Sequence, residues 1–120
     1  RNGAGIGKAM TELTQAEIER QSTEREVTAQ VNALWQRLSS LQGRVKRLGE
    51  SVLPALDENR HLSSTAYRAG EIGLLQLLLV NRQLLDARRD YLDALGDFIQ
   101  TRIALEQTAG WPNFAHEKNK

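Results

Sequence analysis

The chain has 120 residues, 2 prolines, 5% aromatic residues and no cysteine, with 16 basic and 15 acidic residues for a net charge of +1. That length holds at most one small domain, and the composition is that of long helices rather than a sandwich or barrel. Interspersed charge of both signs gives no basic face for nucleic acid, and the missing cysteines exclude disulfides and thiol chemistry, which suits an extracytoplasmic protein.

The first seven residues, Arg1-Asn2-Gly3-Ala4-Gly5-Ile6-Gly7, contain three glycines and no methionine. They read as a junction loop over residues 1–7 in a piece of something longer. No signal peptide or membrane-spanning run is visible. The most apolar stretch, Leu74 to Val80, is short and interrupted by Gln76.

A long helix is expected over residues 8–69. From Val27 its apolar residues fall at alternating steps of four and three: Val31, Leu34, Leu38, Leu41, Val45, Leu48 and Val52. This 3.5-residue period is the signature of a coiled-coil seam. Continued in register, the seam weakens through Ala55, Asn59, Leu62 and Ala66. Upstream of Val27 it lands on Glu24, Arg20 and Glu17, where exposed ion pairing is expected. Pro54 sits within the run, and its missing N–H predicts a kink near Glu50 and Ser51 with the seam in register on both sides.

A tight reversal is expected over residues 70–73, with Gly70 ending the first helix in the left-handed region and Gly73 opening the second. The return helix is expected over residues 74–109, followed by a flexible tail at 110–120. Its apolar residues come in adjacent pairs once per heptad: Leu77/Leu78, Leu84/Leu85, Tyr91/Leu92 and Phe98/Ile99. Pairs widen the apolar arc and predict neighbours on two sides, as in a closed ring or bundle. The arms are unequal, roughly 90 Å against roughly 54 Å at helical rise, so part of the first needs a partner that this chain does not supply.

The fold class read from these features is all-α, a long antiparallel, coiled-coil-like helical hairpin. No catalytic constellation, cofactor motif or metal set is present. His61 and His116 lie in different segments without a ligand partner, and the two glycines at 70 and 73 mark a helix reversal rather than a phosphate cradle. The tip, where Ile72, Leu74 and Leu75 are expected to be exposed, is the one candidate for docking.

The segment Ala66-Tyr67-Arg68-Ala69-Gly70-Glu71-Ile72-Gly73-Leu74-Leu75-Gln76-Leu77-Leu78, with Asn81-Arg82-Gln83-Leu84-Leu85-Asp86-Ala87-Arg88 after it, resembles the periplasmic tip of TolC-like outer-membrane efflux proteins. The resemblance covers about residues 1–110 and looks nearest to the heavy-metal efflux group. It implies a homotrimer whose long helices form a periplasmic α-barrel below an outer-membrane β-barrel. Its hairpin tip would dock to a periplasmic adaptor linked to an inner-membrane pump. On this resemblance Arg68, Gly70, Glu71, Ile72, Gly73 and Leu75 are the docking tip, and Gln76 and Leu79 stand at the pore constriction. Gly73 replaces a usual Ser or Thr cap, and Gln76 and Leu79 replace frequent acidic residues, which implies an uncharged constriction closed by apolar packing. The competing readings are the helical hairpin of the adaptor itself, whose flanking lipoyl-like strands have no counterpart here, and a cytoplasmic coiled-coil scaffold. The scaffold predicts a single-seam return helix.

Overall fold

The computed structural model describes residues 2–110, with the Asn2 side chain excepted. Every regular element among them is helical: α1 (Asn2–Arg47), a π turn (Leu48–Val52), α2 (Leu53–Arg68) and α3 (Leu74–Gly110). The described residues divide into two compact units, one drawn from residues 2–35 and 104–110, the other comprising residues 36–103.

In the first unit, residues 3–30 are all exposed and Leu105 is buried. The helix there is supported locally. Thr11, Thr14, Thr23 and Thr28 hydroxyls donate to the carbonyls of Gly7, Met10, Glu19 and Glu24 at 2.8–3.0 Å. Arg20 pairs with Glu17 at 2.6 Å and Glu24 at 2.9 Å. Such exposed pairs at three and four residues lie on one helix face and give the helix weak local support. The expected junction loop is corrected here: residues 2–7 lie inside α1. An established helix propagates at one hydrogen bond per added residue, so three glycines weaken these turns without ending them. The tail expected beyond Gly110 lies outside the described residues.

The second unit is an antiparallel hairpin. Gly49 lies against Tyr91 and Asp57 within 4.0 Å of Arg88, so positions advance along one arm as they retreat along the other. The α3 seam runs Leu77, Val80, Leu84, Ala87, Tyr91, Ala94, Phe98 and Thr101. Leu84, Ala87, Ala94 and Thr101 are buried and the rest half-buried. From Leu84 on it alternates large and small side chains, which lets the opposing helix approach closely and interdigitate. Among the described residues no fully buried side-chain nitrogen or oxygen lacks a partner.

Opposite this seam the first arm changes register. Leu38, Leu41, Val45 and Leu48 are half-buried as expected. Beyond them the seam passes to Leu53, Leu56, Arg60 and Ser63, whereas Val52, Ala55, Asn59 and Leu62 are exposed; Ala66, the last residue of the expected seam, is again half-buried. This corrects the expectation that the seam stays in register past Pro54. The cause is the π turn, in which the Leu53 N–H donates to the Leu48 carbonyl five residues back. A π turn accommodates one extra residue and moves the side chains that follow it by one position, here seen from Leu53 to Ser63. Pro54 follows immediately; it cannot donate, and in a regular helix its ring would press on the Glu50 carbonyl.

Candidate tip site

The reversal is built from backbone hydrogen bonds. Gly70 has φ 78°, in the left-handed region. Its N–H donates to Tyr67 O at 3.0 Å and the Glu71 N–H to Ala66 O at 2.9 Å. This is a Schellman motif with glycine at the position after the cap residue Ala69. It satisfies two of the four carbonyls that a helix end otherwise leaves free. Gly73 O accepts the Leu77 N–H at 3.3 Å, the first bond of α3.

Around this turn Arg68, Gly70, Glu71, Gly73, Leu75, Gln76 and Leu79 are exposed. Ile72 is half-buried rather than exposed, a correction to its expected place on the open surface. Arg68 folds back along its own helix, its Nε 3.5 Å from the Ser64 carbonyl. Leu74, Leu75, Leu78 and Leu79 form the apolar surface of the tip, between 52% and 72% exposed. Residues three and four apart share a helix face, so Leu75, Leu78 and Leu79 are contiguous, as are Gln76 and Leu79. The resemblance singled out Leu75, Leu78 and Leu79, and Leu74, expected at the exposed tip, belongs to the same surface.

A second exposed stripe continues from the tip. In each adjacent pair on α3 the first residue faces the seam and the second faces solvent, with Leu78, Leu85, Leu92 and Ile99 each 47–64% exposed. One residue turns a helix by about 100°, so the stripe lies beside the seam on a separate face. Arg82 and Arg89 fall between its leucines, and Arg82 lies 3.9 Å from Asp86.

Chemically the surface can pack against another apolar surface. Among the described residues no group of three or more His, Cys, Asp or Glu could hold a metal ion, and His61 is exposed. The notable shifts in acidity lie away from the tip. The Arg20 guanidinium holds the Glu17 carboxyl below the usual carboxylate range, and the same contact raises Arg20. Asp57, between Arg60 at 3.2 Å and Arg88 at 4.0 Å, ties the two arms together at a solvent-exposed position, where such pairs contribute about 0–1 kcal/mol. Among the described residues no helix is long and apolar enough to cross a membrane. No known protein family matches the chain, and neither a curated protein nor a solved structure matches it.

Proposed function

We propose that this chain is the periplasmic α-barrel segment of an outer-membrane efflux duct in a tripartite export system, with its tip docking to a periplasmic adaptor. The observation that carries the reading is the cluster of exposed leucines, Leu74, Leu75, Leu78 and Leu79, directly after a tightly capped helix reversal. An apolar cluster on a compact turn is a poor solvent surface and a good protein contact. The sequence resemblance to the duct family, over about residues 1–110, supplies the kind of contact. Arg68, Gly70, Glu71, Ile72, Gly73 and Leu75 would meet the adaptor. Gln76 and Leu79 would line an uncharged constriction that closes by apolar packing. The second stripe at Leu78, Leu85, Leu92 and Ile99 supports the trimer, since a helix in a ring needs neighbours on two sides.

One observation favours the scaffold alternative: the buried residues of α3 form a single seam of alternating three- and four-residue steps. A cytoplasmic two-helix scaffold needs no more than that, but it leaves the second stripe without a role.

The test is fractionation of native cells with an antibody against this chain. A heat-sensitive trimer in the outer membrane, photocrosslinked through position 71 to a periplasmic protein, is the expected result. Recovery in the inner membrane or periplasm would select the adaptor hairpin. A cytoplasmic signal would select the scaffold.

A further inference from the structure

The first arm carries two candidate seams beyond the π turn, one residue apart. The seam in use is Leu53, Leu56, Arg60 and Ser63, and the one turned out to solvent is Val52, Ala55, Asn59 and Leu62. The seam in use is the less apolar of the two. It places a half-buried guanidinium at Arg60 and a hydroxyl at Ser63, where the other would place Asn59 and Leu62. Apolar burial therefore does not favour the observed register. Two local features do. Pro54 offers no N–H to the Glu50 carbonyl and its ring is relieved by the preceding π turn, which keeps the extra residue where it is. Arg60 and Arg88 also both reach Asp57, an exposed pairing that adds a small preference for the face that α2 presents to α3.

The geometry points to a register switch: α2 has two packings against α3, one residue apart, and Pro54 selects the one with the π turn. In the other packing α1 continues into α2 as an unbroken α-helix, α2 is turned by about 100°, and Val52, Ala55, Asn59 and Leu62 face α3. This inference stands on the packing of the hairpin alone and holds whichever functional reading is right.

The test uses the chain's lack of cysteine. Leu56→Cys and Leu62→Cys are made separately, each in the otherwise native chain and with Pro54→Ala, and their rates of modification by N-ethylmaleimide are compared. In the native background the thiol at 62 reacts faster than the thiol at 56. With Pro54→Ala the order reverses. Deleting Glu50 from the Pro54→Ala chain removes the extra residue, fixes the observed seam covalently and restores the native order. An unchanged order in Pro54→Ala would overturn the switch. So would fast labelling at both positions, which means packing lost with no second register, or a reversed order that persists after Glu50 is deleted.

Discussion

The Tyr91 ring occupies the space that a side chain at Gly49 would need: a Cβ at residue 49 would lie 3.1 Å from Tyr91 Cε2 and 3.7 Å from Cζ and Oη. The absence of a side chain within the π turn is thus what lets α3 bring its aromatic residue against the first arm. Gly96, by contrast, is exposed, and a Cβ there meets nothing within 4 Å.

The two glycines should respond oppositely to alanine. Gly96→Ala removes the entropic penalty of a helical glycine and should raise stability by about 0.5–1 kcal/mol. Gly49→Ala forces the Tyr91 ring to move by a few tenths of an ångström and should give no gain. Urea unfolding of both variants measures the difference; equal stabilisation would mean that Tyr91 yields freely.

Gly70 adopts φ 78°, which an L side chain reaches only with strain. Gly70→Ala should cost about 1–2 kcal/mol, and Gly70→Asn less, because asparagine tolerates the left-handed region. Thermal unfolding of the three chains orders them. An alanine variant as stable as the native chain would contradict the Schellman geometry.

Leu84 is 2% exposed and its neighbour Leu85 is 59% exposed. Leu84→Ala should destabilise the hairpin by about 2–5 kcal/mol through lost burial and the cavity left behind. Leu85→Ala should leave the stability of the dilute chain within about 0.5 kcal/mol. It should weaken self-association in sedimentation if the second stripe meets another copy. Unchanged association would remove that stripe from the interface.

Glu17 titrates below the usual carboxylate range because Arg20 hydrogen-bonds its charged form. A carboxyl lowered in the folded state stabilises above its unfolded pKa and loses that contribution as pH falls through the lowered value. Helicity in the first half of α1 should therefore decline in acid, below the ordinary carboxylate range. Glu17→Gln should abolish that portion of the decline. The pair is fully exposed, so about 1 M salt should mute the effect strongly. Circular dichroism against pH, in low and high salt, reads both dependences.

Much of the hairpin was written in local pattern. The 3–4 spacing from Val31 to Leu48, the paired leucines of α3 and the Gly70/Gly73 reversal each follow from one residue type at one spacing, because periodicity and backbone freedom are local properties. The helix through Gly3, Gly5 and Gly7 continues where composition suggested a loop, since propagation from an existing helix, again a local property, outweighs weak propensity. Two features were decided by tertiary structure. Of each leucine-type pair on α3, contact with the opposite arm selects the first for burial and leaves the second exposed, a choice that the pair itself does not encode. The sequence placed the disturbance at Pro54, but it could not reveal whether one residue would be absorbed as a kink or as a π turn. That outcome combines Pro54, which selects the register with the π turn, with the packing of that register against α3, and the packing exists only once the two arms are together.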